Sequence, residues 1–123
     1  MRATFDPGDL LSGAQQAARA ACGIVAHNIL SDCADFVPYE TGALRRSGRV
    51  DEGSDKVSVT WGGDEDTSRY ARVQYFGVGL SHDTAANHAN APRARHHWFE
   101  GARAEREQAW RDMFAREFTR RLR

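Results

Sequence analysis

The chain has 123 residues, of which 41% are hydrophobic and 28% are charged, with 17 basic and 17 acidic side chains. This length predicts one compact domain with its own core, and an aromatic content of 10% argues against a disordered tail. No window approaches the ~18 consecutive apolar residues that a membrane span needs, and residues 1–11 lack the pattern of a signal peptide. We therefore expect a soluble protein that is made in the cytoplasm.

The zero net charge conceals an uneven distribution. Residues 1–92 carry 8 basic and 12 acidic side chains, whereas residues 93–123 carry 9 basic and 5 acidic ones. A basic end on an acidic body favours head-to-tail contacts between identical subunits, which close into rings. The same pattern is also typical of a solvated, ion-paired helix, so the charge alone leaves both interpretations open.

From Asp9 onward, small and apolar residues recur at intervals of three and four, which predicts an amphipathic helix over about residues 9–32 with a narrow, alanine-rich face. At 1.5 Å per residue this helix is about 36 Å long, so it either spans the domain or projects towards a neighbour. Cys22 and Cys33 would lie about 16 Å apart on it, too far for a disulfide. Both are expected to be free thiols.

Pro38 and Gly42 interrupt the helical pattern and predict a loop over residues 36–47. Two short strands follow, at about 46–50 and 56–61, because Val57, Val59 and Trp61 alternate with polar residues after a turn-forming segment. An acidic loop then precedes a short helix at about 69–76.

Residues 78–96 contain few large hydrophobic side chains and predict a long loop. A second amphipathic helix is predicted over about 98–121, with Trp98, Trp110 and Phe114 as the main anchors of its apolar face and an arginine-rich opposite face.

Histidines concentrate in and beside the predicted long loop. This segment offers nitrogen and oxygen ligands for zinc at His82, Asp83, His88, His96 and His97, but these residues do not follow a known metal-binding spacing. A His-Asn-His nuclease can also be imagined from His82, Asn87, His88 and His97, yet the segment lacks the strand pair and cysteine knuckles that hold such a site. The sequence contains neither a nucleophile elbow nor a phosphate-binding glycine loop. We therefore expect no catalytic residue, no metal site and no cofactor, and hence no enzyme.

The arginine-rich face of the last predicted helix is a candidate for nucleic-acid binding, because arginine contacts phosphates with salt-dependent affinity. Acidic residues dilute this face, and several of them stand at ion-pairing distance along a helix, as Glu107 does with Arg111. Ion pairing is the favoured interpretation, and nucleic-acid binding remains the alternative.

Three segments form a recognisable pattern: FVPYETGALRRS at 36–47, YARVQYFG at 70–77 and HHWFEGA at 96–102. Together they resemble the minor capsid proteins of long-tailed bacteriophages, a family similar to tail-completion and head-to-tail joining proteins. The order and spacing of the pattern cover about residues 8–120, and Phe76 stands where a second tyrosine is common. The residues that match are Val37, Pro38, Glu40, Thr41, Gly42, Leu44, Arg45 and Ser47 in the first element, and Tyr70, Ala71, Arg72, Gln74, Tyr75 and Gly77 in the second.

The resemblance implies an α+β fold in which long N-terminal and C-terminal helices flank a small, mainly antiparallel sheet, with a long loop. It also implies a structural protein of the virion neck, at the head-tail junction, that forms a ring and is present in the host cytoplasm during assembly. The implied partners are further copies of the chain and neighbouring neck and tail-tube or head-completion proteins, without a membrane or a specific nucleic acid. Tail completion is the first hypothesis and head completion its nearest variant.

The first motif has a physical rationale as an ordered loop. Pro38 keeps the preceding residue extended, Gly42 permits a turn, and Thr41 can hydrogen-bond locally to hold it. Arg45 and Arg46 are expected to meet the acidic residues 64–66 of the same chain or of a neighbour. The residues predicted to contact another subunit or partner are Pro38, Tyr39, Glu40, Thr41, Arg45, Arg46, Asp64, Glu65, Asp66, Tyr70, Arg72, Gln74 and Tyr75.

Overall fold

The protein is described by a computed structural model that covers residues 7–39, 41–53, 56–63, 65–76 and 84–122. The fold is α+β, with helices around one two-stranded antiparallel sheet in this part of the chain. In order, the elements are α1 (Pro7–Cys33), a 3₁₀ turn (Ala34–Phe36), α2 (Ala43–Arg46), β1 (Arg49–Glu52), β2 (Val57–Thr60), α3 (Glu65–Phe76), α4 (Ala85–Asn90) and α5 (Trp98–Leu122).

The two long helices enclose the ranges predicted for them, whereas the shorter elements differ from the prediction. The loop predicted over 36–47 contains the 3₁₀ turn and α2, and because Arg46 ends α2 the first strand starts at Arg49 rather than at 46. Helix α3 begins at Glu65 rather than at 69, since acidic residues at the start of a helix interact favourably with its dipole.

The long loop predicted over 78–96 is wrong for its second part, because α4 lies within it. The Thr84 hydroxyl accepts a hydrogen bond from the backbone N–H of Asn87 at 3.2 Å and so caps this helix. Residues 77–83 lie outside the described residues.

Helix α5 packs along α1 in the antiparallel direction. Near the end of α1, Asp32 contacts Arg106 and Trp110, whereas Val25, two turns earlier, borders the same cavities as the more C-terminal Phe114. The buried alanines of α1 include Ala21, which has no exposed surface. Their small side chains let α5 and the sheet approach the helix closely.

The sheet lies against α1 rather than against α5. Strand β1 pairs antiparallel with β2, with Val50 opposite Val59 and Glu52 opposite Val57, and both strands contact α1. The carboxylate of Glu52 reaches the α1 backbone at Gly23, where a side chain would meet it. Helix α1 therefore carries both α5 and the hairpin.

Trp98 is the centre of the core. Its side chain is 2% exposed, and its ring meets those of Trp61 and Tyr75 edge-on, with centroids 5.7 and 4.6 Å away. Leu44 from the motif loop and Cys33 from the end of α1 belong to the same buried cluster. Burial raises the pKa of the Cys33 thiol to about 12, so this cysteine stays protonated at neutral pH.

Within the described ranges, every helix is too short or too polar to cross a bilayer.

We predict that Asp32→Ala lowers the free energy of unfolding by about 1–3 kcal/mol, because it leaves the buried indole N–H of Trp110 without an acceptor. Asp32→Asn keeps an acceptor oxygen and should lose less than half as much. Asp35→Ala, at an exposed site three residues further along, is the matched control. Urea unfolding followed by tryptophan fluorescence measures all three, and an equal loss in Asp32→Ala and Asp35→Ala would contradict the assigned role.

A candidate assembly site where the motifs meet

The first motif folds into a tight, ordered loop. Val37 is extended (φ −76°, ψ 127°) and has no exposed surface, and Pro38 after it is buried. Gly42 adopts the left-handed conformation at φ 84°, which costs a residue with a side chain about 1–2 kcal/mol. The Thr41 hydroxyl accepts a hydrogen bond from the backbone N–H of Ala43 at 3.3 Å. These contacts turn the chain so that Leu44 returns to the core.

Both arginines of the loop have partners within the described part of their own chain. The Arg45 guanidinium donates to the backbone carbonyl of Asn90 at 3.1 Å and lies over the Tyr39 ring, 5.2 Å from its centroid. Arg46 donates to the Thr41 carbonyl at 3.2 Å. These hydrogen bonds stabilise the motif loop and attach it to the end of α4. The side chains of residues 64–66, their expected partners, lie outside the described residues.

Asn87 joins α4 to the motif loop. Its side chain is 5% exposed, and its oxygen accepts a hydrogen bond from the backbone N–H of Tyr39 at 2.6 Å. Because a buried amide needs such a partner, Asn87 fixes the path of the loop. Sequence reasoning considered Asn87 only as part of a nuclease cluster, although the capping threonine three residues earlier was a usable signal.

The segment that leads into α5 is attached to the same loop. The backbone N–H of Arg95 donates to the Phe36 carbonyl at 3.1 Å, and the Arg93 guanidinium lies 4.4 Å from the centroid of the Phe36 ring. Arg93 also pairs with Glu105 on α5. The loop, α4 and the start of α5 are therefore one connected unit.

The second motif holds the start of α5 through Tyr75. Its ring contacts those of Trp98 and His97, and its hydroxyl donates a hydrogen bond to Glu100. Burial and this hydrogen bond raise the pKa of Tyr75, and the same bond lowers the pKa of Glu100. One residue earlier, the Gln74 carbonyl lies 2.7 Å from Nδ1 of His96.

His97 has an uncommon backbone conformation at the start of α5. Its φ of 50° is positive, which is uncommon for a residue with a side chain. The backbone N–H of His97 donates to the Tyr75 carbonyl at 3.2 Å, and its carbonyl accepts the first hydrogen bond of α5, from Gly101. Contacts with the end of α3 therefore hold His97 in place. Both adjacent histidines, His96 and His97, contact backbone carbonyls at the end of α3.

The predicted contact residues are spread over surface and interior. Thr41, Arg46 and Arg72 are exposed, and Pro38 is buried. Glu40 and Asp64 lie outside the described residues, as do the side chains of Glu65 and Asp66 in the first turn of α3. The residues with intermediate exposure are Tyr39, Arg45, Tyr70, Gln74 and Tyr75.

Sequence reasoning did not predict that two hydrophobic residues of the second motif are exposed. Val73 and Phe76 on α3 are 47% and 62% exposed. A helix with apolar side chains on both its inner and its outer face gives no clear period, so the sequence did not show which of these side chains face outward.

Histidine, cysteine and acidic side chains are the usual protein ligands of metal ions. Across the ranges that the structure covers, they do not form a group of three or more that could hold a metal ion. His82 and the side chain of His88 lie outside those ranges.

The geometry around the motifs is that of a structural protein, because its polar side chains order loops against one another. A family model described as minor capsid protein matches residues 11–118. The chain therefore belongs to the bacteriophage minor capsid protein family and is a structural component of the virion. A search of curated proteins and a search of solved structures each returned no match.

We predict that Gly42→Ala lowers the free energy of unfolding by about 1–2 kcal/mol, because the new side chain favours φ below zero. Gly13→Ala is the matched control, since Gly13 lies in α1 with open space around it. That substitution should leave stability unchanged or raise it by up to about 1 kcal/mol. Thermal unfolding by circular dichroism distinguishes the two, and similar melting temperatures for both variants would refute the requirement at Gly42.

We predict that Tyr75→Phe raises the pKa of Glu100 towards its ordinary value, because the carboxylate loses its phenol donor. A lowered pKa in the folded state stabilises the protein above the ordinary pKa of about 4.3 and stops doing so as the pH falls through the folded value. The stability difference between wild type and variant should therefore be about 0.5–1 kcal/mol at pH 7, since water screens the exposed Glu100, and should shrink below pH ~4.

An NMR titration of the Glu100 carboxyl carbon, together with urea unfolding at pH 7 and pH 3, tests this pH dependence. Glu100→Gln is the control, because Tyr75→Phe in that background should no longer change the pH dependence. An unchanged Glu100 pKa in Tyr75→Phe would show that another group sets it.

Proposed function

We propose that this minor capsid protein is a ring-forming connector of the phage neck that completes the tail for joining to the head. The observation that carries the proposal is the outer face of α3, where Arg72, Val73 and Phe76 of the second motif are exposed, whereas Tyr75 of the same motif contacts the start of α5. Exposed apolar side chains next to a rigid frame are typical of a surface that another protein covers. An assembly role explains these exposed side chains better than a catalytic role does.

The charge distribution supports a ring of identical subunits. The acidic first 92 residues and the basic last 31 residues of the sequence supply complementary charges on one molecule. Contacts between two different surfaces of the same chain repeat head to tail and close into a ring when the rotation allows it. The proposed partners are further copies of the chain together with neighbouring neck and tail-tube or head-completion proteins.

Ion pairing on α5 favours the connector over nucleic-acid binding. Two glutamates on this helix each pair with two arginines, which lower the pKa of both carboxyls. Since arginines paired in this way are partly neutralised, they contribute less to phosphate binding. The ion pairs are Arg103 and Arg111 with Glu107, Arg120 and Arg121 with Glu117, and Arg106 with Asp32.

We predict that the purified protein binds a fluorescein-labelled 20-base-pair duplex with a Kd weaker than about 10⁻⁴ M at physiological salt, the weak end of non-specific DNA binding. Fluorescence anisotropy at 50 and 200 mM salt measures this affinity. Micromolar binding that weakens steeply with salt and is lost in Arg111→Ala would instead support the nucleic-acid-binding alternative.

We predict that disruption of this reading frame in the parent phage yields DNA-filled heads beside finished, unattached tails in electron micrographs of lysates. A plasmid copy of the gene should restore joined, infectious particles. A plasmid copy with an early stop codon is the matched control. Leaking, empty heads would move the protein to the head-completion side of the neck, and normal infectious particles would refute the connector.

A further inference from the structure

The last two turns of α3 present one exposed face of mixed composition. Arg69, Arg72, Val73 and Phe76 are all exposed, and we refer to these four residues as the α3 face. At 3.6 residues per turn they fall within about 100° of arc around the helix axis and span about 10 Å along it. Ala71, on the opposite side of the helix, is buried.

Contacts with the interior hold the aromatic member of the α3 face in place. The ring of Phe76 meets the rings of Tyr75 and His97 edge-on, with centroids 4.9 and 5.4 Å away. Tyr75 in turn contacts the buried ring of Trp98. Because Phe76 is already ordered while 62% of its surface is exposed, a partner that covers it pays little side-chain entropy.

Arg72 gives the α3 face a positive charge. Among the residues that the structure describes, Arg72 has no ion-pair partner, whereas Arg103 and Arg111 on α5 share Glu107. A cationic side chain beside Val73 and Phe76 favours an occupant that brings a carboxylate and apolar side chains together.

A second copy of the chain is a poor source of that carboxylate. Most exposed carboxylates that the structure describes already have a partner in their own subunit. They are Asp51 with Arg49, Glu100 with Tyr75, Glu105 with Arg93, and Asp112 with Gln108. Moving one of them to the α3 face of a neighbour would break a contact that it already makes. A different protein avoids this loss, and the contacts between identical subunits of the proposed ring then lie on other surfaces.

Duplex DNA is a poorer fit to the α3 face than a protein segment is. Phosphates can contact Arg69 and Arg72, but a phosphate backbone offers no apolar surface to cover Val73 and Phe76. Burial of apolar surface is the main favourable contribution to most protein association. The face therefore gains more from a protein that is both acidic and apolar.

We propose that the α3 face binds an acidic segment of a different virion protein, with a carboxylate of that segment on Arg72 and with apolar side chains over Val73 and Phe76. This contact rests on the connector function proposed above and specifies the chemistry of one of its partners. The guanidinium can hold a carboxylate through two parallel N–H donors, which fixes the orientation of the pair. Phe76 supplies the aromatic anchor that is typical of an interface hot spot.

Photo-cross-linking in assembled particles tests the contact directly. Phage particles are produced by complementation with a chain that carries p-benzoylphenylalanine at position 73, and they are then irradiated. Peptide mass spectrometry identifies the molecule joined to position 73, and particles that were not irradiated are the control.

We expect an adduct with a virion protein other than this chain, in a stretch that has more acidic than basic residues and contains a large apolar residue. Absence of an adduct, an adduct with a second copy only, an adduct with DNA, or an adduct with a basic stretch would each overturn the proposal.

Charge reversal gives an independent test. Arg72→Glu should lower the yield of joined particles by about tenfold or more, and Arg72→Lys, which keeps the charge, should preserve most of the yield. Lys56→Glu is the matched control, because it makes the same change of charge at an exposed site just before β2. It should leave the yield within about twofold of wild type. Equal losses in Arg72→Glu and Lys56→Glu, or a full yield from Arg72→Glu, would contradict the proposed contact.

The apolar part of the face is tested in the same way. Phe76→Asp should abolish joining and Phe76→Leu should preserve it. The melting temperatures of the purified variants should stay within a few degrees of wild type, because Phe76 is largely exposed. Joined particles at normal yield from a folded Phe76→Asp chain would overturn the contact.

These results separate the contact from the proposed function. If disruption of the gene still leaves infectious particles, the connector itself is refuted whatever the cross-links show. If complementation restores joined particles but position 73 gives no adduct with an acidic stretch of another virion protein, the connector stands and this contact is refuted.

Discussion

One oxygen of the Asp32 carboxylate accepts hydrogen bonds from Asn28, Arg106 and Trp110, and the placement of α5 on α1 depends on it. The indole of Trp110 is 5% exposed and needs this acceptor. Since the arginine and the indole lie one turn apart on α5, their shared acceptor fixes the rotation of that helix as well as its position. The rest of α5 packs along small side chains of α1. Because small side chains interlock less than large ones, they resist sliding of α5 along α1 less.

With α5 fixed, the motif residues determine the local shape. Asn87 holds the backbone of Tyr39, and the Tyr75 hydroxyl holds Glu100 at the start of α5. Both bonds join segments that are distant in sequence, so they restrict the ensemble of the chain more than local contacts do. Most residues of the recognisable sequence pattern therefore make contacts within their own chain. The motif surface that stays exposed is small.

The parts of the fold that follow from one dominant periodicity could be predicted from the sequence. Both long helices bury apolar or alanine faces, and Trp98 and Trp110 are buried as their spacing suggests. Helix α4 could not be found in this way, because a six-residue helix with a polar sequence is stabilised by its cap and by Asn87 rather than by an apolar face. The partners of Arg45 could not be predicted from the sequence either, because they depend on how α4 packs against the motif loop.

An apolar cavity of about 510 Å³ lies beside α1 and is lined by residues of α1, β2 and α5 that include Val25, Val59 and Phe114. Small side chains at Ala21 and Ala26 bring α5 and the hairpin close to the helix, and Ala26 also borders this cavity. An unfilled apolar cavity lowers the stability of an isolated subunit roughly in proportion to its volume. A side chain from another molecule that filled this cavity would therefore stabilise the subunit without any chemical step.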